Sequence, residues 1–472
     1  MRRKIAFLEA NEIPFRVFDD YAASRPDSQL ARVMPRCRQY TTVAPDTCRL
    51  SPWITWPTLQ RGVNNEKHGL LSLGQSHAEA DAQYPPIWQI LAERGVRAGV
   101  FGPLHSWPLP ERPERYAFFV PDTFAPTPES HPDSLTAFQN FNLIMARRSP
   151  RNVSAAFDLG SLAAFLLRAP RLGLRRATLL AIARHLVEEQ AQSWKRARRR
   201  TFQPVVAFDL YIEQLERQRP DYSCFFTNHV ASAMHRFWAA LYPDDYEQLE
   251  LGRDWQRRYS GEIFFAMDWL DAMFGRMIAF AQRNPDHLVV AASSMGQAAS
   301  SGHRIDTQLY LREPAKLLDH AGLTPADWSQ RPAMDPTVSL LVSVEKAGQL
   351  DQYLARLSID GTPLRVSVRH GTLFDLWLGQ PNLEPRPDLI TLNGVPVPYA
   401  ELGFELVAIE DEASSTGYHV PEGSLFIYDP RDASIKSQQR PIVATTDVAP
   451  AILANFGIEA PDYMSEPGKI LL

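Results

Sequence analysis

The chain has 472 residues, 45% of them hydrophobic and 22% charged, which suits a globular protein with one large elaborated domain or two to three domains. Its 49 Lys and Arg against 54 Asp and Glu leave a net charge of −5, so the charge balance excludes any need for nucleic acid as a partner. The three cysteines, Cys37, Cys48 and Cys224, have neither the spacing of a metal knuckle nor a compelled pairing, and they fit a reducing compartment.

The N-terminal apolar run breaks at Glu9. It is too short for a signal-peptide core or a transmembrane segment, so the expected location is cytoplasmic. The run predicts a buried parallel strand over 4–8, with Glu9, Asn11 and Glu12 at its carboxyl end, where α/β sheets bind ligands. Glu9 is accordingly a candidate metal ligand or acid–base group, or else a loop carboxylate. Residues 51–70, SPWITWPTLQRGVNNEKHGL, follow. Thr55 stands there at the expected mouth of a helix, where free backbone N–H groups and the helix dipole favour an anion. The same position suits a helix cap.

A helix over 85–94, a Gly95 turn and a strand over 96–101 give an α/β signal. The Pro-rich stretch 104–134 reads as a substrate-facing loop. Residues 161–200 are dense in Arg and helix formers and read as two helices of a basic insertion, suited to a solvated face, an anionic substrate or a membrane surface. Next come a helix over 208–219, an aromatic strand over 222–227, and then Asn228, His229 and His235. The spacing of Ile263, Met267, Leu270, Phe274 and Met277 predicts a core-packing helix over 261–283. A buried strand over 287–292 runs into Ser293-Ser294-Met295-Gly296. Between 311 and 400 the pattern changes to strands over 338–344 and 364–369 with a helix over 349–357, a small α+β insertion. His419 precedes a strand over 424–428, and a helix over 446–456 is capped by Asp447 and stopped by Gly457.

Four passages together resemble a known family. They are the opening strand with its acidic end, ITWPT followed by KHGL, YSCFFTNHVASAMHRFW, and TGYHVPEGSLFIYDP followed by TDVAPAILANF. In this order and spacing they resemble the alkaline phosphatase superfamily, and within it the type I phosphodiesterase and nucleotide pyrophosphatase branch. The resemblance implies a three-layer α/β/α core with a mostly parallel central sheet, built from residues 1–150, 205–310 and 400–472. It leaves 151–204 as a helical insertion and 311–399 as an α+β cap. It also implies metal-assisted hydrolysis of a small phosphate or sulfate ester. Thr55 would be the nucleophile, Glu9 and Thr55 would face one metal, and His235 and His419 would face the other.

The chain departs from the family where the metals should bind. Ser294 and Met295 stand at the place of the family's Asp-His pair, and neither suits zinc beside a carboxylate. Ala231 stands where an Asp is expected four residues before His235. His229, or Asn228 beside it, could complete a site with His235 and His419 that leaves an open position. These residues imply zinc or another divalent metal, one ion at most. Two functions stay open: a hydrolase with a single metal site, or a catalytically inactive pseudoenzyme that binds an anionic ligand or a protein partner.

Overall fold

The fold is taken from a computed structural model, which describes residues 2–147, 172–334, 336–409, 411–413, 415–432, 434–435 and 439–472. Its centre is an eight-stranded sheet. In chain order the first six strands are β1 (Lys4–Ala10), β2 (Cys37–Val43), β3 (Ala98–Phe101), β4 (Phe118–Val120), β5 (Tyr222–Thr227) and β6 (His287–Ala292). Across the sheet the order is Ile442–Ala444, β2, Leu425–Tyr428, β6, β1, β5, β3, β4. Every neighbouring pair is parallel except the two made by Leu425–Tyr428, which runs antiparallel between β2 and β6. The fold is therefore α/β, with a mostly parallel central sheet.

Period-two alternation sorts the strand side chains between two helical layers. Ala6 and Leu8 of β1, with Val289 and Ala291 of β6, face a core shared with Phe208, Tyr211, Met234, Met267 and Phe274. Ile5 and Phe7, with Val290 and Ala292, face the opposite core with Trp56, Leu59, Leu91 and Leu453. The helix Glu262–Arg283 follows its sequence pattern. Ile263, Met267, Leu270, Phe274 and Met277 are all buried, and each such burial stabilises the fold by about 1.5–3 kcal/mol.

A third apolar core joins residues 309–404 alone. It lies beneath two small four-stranded antiparallel sheets. The strand expected over 338–344 is Val338–Val342, and the helix expected over 349–357 is Val344–Leu354. The helix expected over 208–219 begins earlier and spans Arg199–Gln218. Of the helical insertion expected over 151–204, residues 151–171 lie outside the described residues. Arg176–Ala191 is a helix, and Arg198 and Arg199 are ion-paired to Glu262 and Glu189. Among the described residues no helix is long and apolar enough to cross a membrane.

β1 occupies the middle of the sheet, with β5 and β6 on either side, and it runs two residues further than the sequence pattern predicts. Glu9 therefore lies inside the ladder, opposite Phe226 and Ala292. The residues that clear the sheet end are Asn11 and Glu12.

Candidate metal centre

Three side chains from distant parts of the chain meet beyond the carboxyl end of β1. Glu12 follows the strand, His235 lies on the helix His229–Leu241, and His419 lies in the strand Gly417–Val420. Their ligand atoms all fall within 4.8 Å of one another, the single such group of His, Cys, Asp or Glu among the described residues. His235 Nε2 is 2.9 Å from Glu12 Oε2, and His419 Nε2 is 3.4 Å from the same oxygen. The two imidazole rings stand 5.0 Å apart, edge to face.

Local folding explains each position. Glu12 takes a left-handed backbone conformation, φ 62°, uncommon for a residue with a side chain and often found at functional sites. That turn brings its carboxylate back over the sheet end. Asn11 Nδ2 donates to Glu12 Oε1 at 2.7 Å, and the Trp56 indole fixes the Asn11 amide by donating to its oxygen at 2.7 Å. Gly417–Val420 pairs antiparallel with β7 (Gly296–Ala299), which sets His419 opposite Gln297. Gln297 Nε2 donates to Glu12 Oε2 and to the Ala231 carbonyl. A Cβ on Gly296 would meet the Glu422 carbonyl oxygen at 2.1 Å, so only glycine permits this approach.

Both histidines are oriented from behind. His235 Nδ1 donates to the Gly417 carbonyl at 2.8 Å, and His419 Nδ1 donates to the Leu50 carbonyl at 2.7 Å. With Nδ1–H committed, the neutral ring presents a bare Nε2 toward Glu12. Two lone-pair nitrogens around one carboxylate oxygen repel it unless a cation, either a proton or a metal ion, joins them. Burial pushes the Glu12 carboxyl up; where protons rather than a metal ion join the three groups, the charges then carried by His419 and His235 and their hydrogen bonds outweigh burial and hold the carboxyl well below the usual carboxylate range. Glu12 and His419 are nearly inaccessible, whereas the His235 side chain is 26% exposed, so the centre opens toward solvent on the His235 side. Two imidazoles and one carboxylate, each imidazole backed by a carbonyl, match a three-ligand catalytic zinc site with an open position.

The other expected residues lie elsewhere. His229 is not brought to this centre: its Nδ1 pairs with Thr227 Oγ1 at 2.6 Å and its Nε2 donates to the Ala266 carbonyl at 3.0 Å. Burial pushes its pKa down to about 4, with the Ala266 carbonyl working against that, so it is a neutral core group. Asn228 accepts a hydrogen bond from Asn11 at 2.6 Å and supports Glu12 at one remove. Glu12 is the member of this group that sequence reasoning missed. Its polar place after β1 was visible, but the early end assigned to the strand directed attention to Glu9.

Glu9 is wholly buried. Gln60 Nε2 donates to one oxygen at 3.1 Å, and the other makes no hydrogen bond among the described residues. Burial pushes its pKa up to about 8 and the Gln60 contact offsets only part of that, so the carboxyl is mainly protonated at neutral pH. Thr55 does not cap its helix. The helix Pro52–Arg61 starts after Ser51, and Thr55 ends the first turn, with Oγ1 3.3 Å from the Ser51 carbonyl. Thr55 Oγ1 is 2.8 Å from Ser294 Oγ, and Thr55, Ser294 and Met295 are completely buried. Pro57, lacking an N–H, leaves the Trp53 carbonyl unclaimed within the helix, and His105 Nε2 donates to it at 3.0 Å.

No protein-family model matches the chain, and no curated protein matches it. Solved structures similar to this chain include the following three. Murine ectonucleotide pyrophosphatase/phosphodiesterase 5 is similar over 99% of this chain and 98% of its own, at 11% identity and a TM-score of 0.42. Phosphonoacetate hydrolase from Sinorhizobium meliloti 1021, in complex with phosphonoacetate, is similar over 96% of this chain and 95% of its own, at 12% identity and a TM-score of 0.42. A TAB5 alkaline phosphatase mutant with bound Mg is similar over 98% of this chain and 100% of its own, at 9% identity and a TM-score of 0.36.

Proposed function

We propose that the chain is a divergent member of the alkaline phosphatase superfamily that hydrolyses small phosphate esters with one divalent metal ion, zinc by preference. On this reading Glu12, His235 and His419 hold the ion, and residues 311–399 form a cap. The observation that carries the proposal is the paired Nδ1–H contacts to Leu50 and Gly417, which aim two bare Nε2 atoms at one buried carboxylate. A zinc ion held there by Glu12, His235 and His419 would supply Lewis-acid chemistry toward a phosphoryl oxygen. The protein's own part is to fix Glu12 through Asn11 and Gln297, to orient both rings, and to admit solvent beside His235.

Thr55 enters this proposal differently from the family pattern. Its hydroxyl is sealed against Ser294, and among the described residues no histidine, carboxylate or amine hydrogen-bonds to it as a base. We therefore assign the attacking oxygen to solvent rather than to Thr55. A second reading, an inactive protein that binds an anionic ligand, is favoured by that same sealed hydroxyl and by Met295 packed in place of a ligand.

The experiment is turnover of phosphodiester, phosphomonoester and sulfate esters by zinc-loaded protein and by Glu12→Gln and His419→Ala. The proposal expects phosphate-ester hydrolysis that both substitutions abolish. Absence of turnover in zinc-loaded wild type, with zinc bound, selects the second reading.

A further inference from the structure

The helix Arg176–Ala191 is built inside out. Its buried side chains are polar: Thr178, His185 and Glu189, which share one face of the helix. Each has a partner beneath it. Thr178 Oγ1 donates to Asp209 at 2.6 Å, and Glu189 accepts from Arg199 Nε at 2.8 Å. His185 lies 3.3 Å from Glu189 and packs on the Phe202 ring, centres 5.0 Å apart. This polar seam fixes which way the helix is turned. The opposite face carries Leu180, Ala183 and Val187 at spacings of three and four, with Leu180 70% and Val187 72% exposed. A helix lying on a protein core ordinarily shows the reverse pattern. Of the ten large hydrophobic side chains exposed among the described residues, three lie on this helix: Leu179, Leu180 and Val187. The apolar surface is therefore gathered into a patch rather than scattered singly.

Charge surrounds the patch. Arg175 and Arg176 are exposed at the start of the helix, and Arg184 is exposed beside Leu180 and Val187, in an ion pair with Glu188. No acidic residue of the helix is exposed. Residues 172–204 carry eight Lys and Arg against two Glu, a net charge of +6, which leaves −11 for the rest of the chain. The two signs are thus separated along the molecule, and the exposed apolar face lies at the positive end.

We propose that this face docks on a lipid surface rich in anionic headgroups. Leu180 and Val187 enter the boundary between headgroups and acyl chains, while Arg175, Arg176 and Arg184 lay their apolar stems along it and keep their guanidinium groups at the lipid phosphates. Charge complementarity favours this occupant over the alternatives. A second copy would set one positive face against another. Residues 151–171, which precede the helix, carry Arg151, Arg168 and Arg171 against Asp158 alone and add charge of the same sign. The inference is independent of the metal centre.

The test is co-sedimentation of the full chain with vesicles of pure phosphatidylcholine and with vesicles holding about a third phosphatidylglycerol, alongside size-exclusion chromatography. Wild type is expected to sediment with the anionic vesicles, to stay in solution with phosphatidylcholine alone, and to be released by high salt. Leu180→Gln with Val187→Gln is expected to lower partitioning by tenfold or more at the wild-type melting temperature, because both side chains face solvent. Arg175→Gln with Arg176→Gln is expected to lower it by about tenfold. Wild type that ignores anionic vesicles overturns the inference, and so does undiminished sedimentation of the Leu180→Gln, Val187→Gln protein. A dimer of wild type that this double substitution dissociates, without vesicle binding, assigns the face to a second copy and overturns it too.

Discussion

Glu9 offers a quantitative check on the buried end of β1. A carboxyl whose pKa rises from 4.5 to about 8 on folding keeps its proton in the native state while the unfolded chain loses it. The sign follows directly. The native state binds more protons between pH 4.5 and 8, so this contribution is favourable at low pH and is lost as pH rises through the folded pKa. Between pH 5 and pH 9 the linkage amounts to roughly 4 kcal/mol of lost stability, an order-of-magnitude figure for a fully buried group. For 472 residues, an unfolding entropy of about 2.1 cal/mol/K per residue converts that loss to a melting-temperature change of about 4 °C. Glu9→Gln keeps the shape and a partner for Gln60 but cannot ionise. The assay is thermal unfolding of wild type and Glu9→Gln, without metal, at intervals from pH 5 to pH 9. The difference between the two proteins should widen from pH 5 to about pH 8 in favour of Glu9→Gln and level off above that. Parallel profiles would refute the reasoning, because they would mean that Glu9 is charged or solvated in the native state.

Further predictions concern the neighbouring residues. Thr55→Val should leave hydrolysis within a few-fold of wild type, measured as kcat/KM at saturating zinc; a loss of a thousandfold or more would make Thr55 the nucleophile after all. His229→Asn should retain bound zinc, as shown by elemental analysis, yet lower the melting temperature at pH 7, since the contacts to Thr227 and Ala266 are disrupted. His229 also has a folded pKa near 4, below its unfolded 6.5, so its contribution is present above pH 6.5 and is lost as pH falls toward 4, by roughly 3 kcal/mol; His229→Asn should flatten that acid limb of the melting curve. Gln297→Leu should weaken zinc binding by about tenfold or more without removing it, because Glu12 loses a donor that orients it; an unchanged zinc affinity would remove Gln297 from the support of the site.

The sequence made the sheet legible because its strands are buried on both faces and read as continuous apolar runs, as in β1, β5 and β6. The passages that surround His235 and His419 singled both out as candidates, and the fold brings the two together. Glu12 was not singled out, because its place beside them depends on where β1 stops and on a left-handed turn, and strand ends leave little trace in a pattern of apolar residues. His229 was misplaced for a related reason. A histidine after a strand looks alike whether its ring faces the sheet end or turns into the helix layer, and only the Thr227 and Ala266 partners decide between the two.

The central claim is that Glu12, His235 and His419 form one metal site. Elemental analysis of protein purified without a chelating column or added chelator tests it most directly, on wild type, Glu12→Gln, His419→Ala and His229→Asn. The account predicts about one zinc per chain in wild type and His229→Asn, and none in Glu12→Gln or His419→Ala. Wild type that takes up no divalent metal, or zinc that persists at full occupancy in His419→Ala, would contradict it.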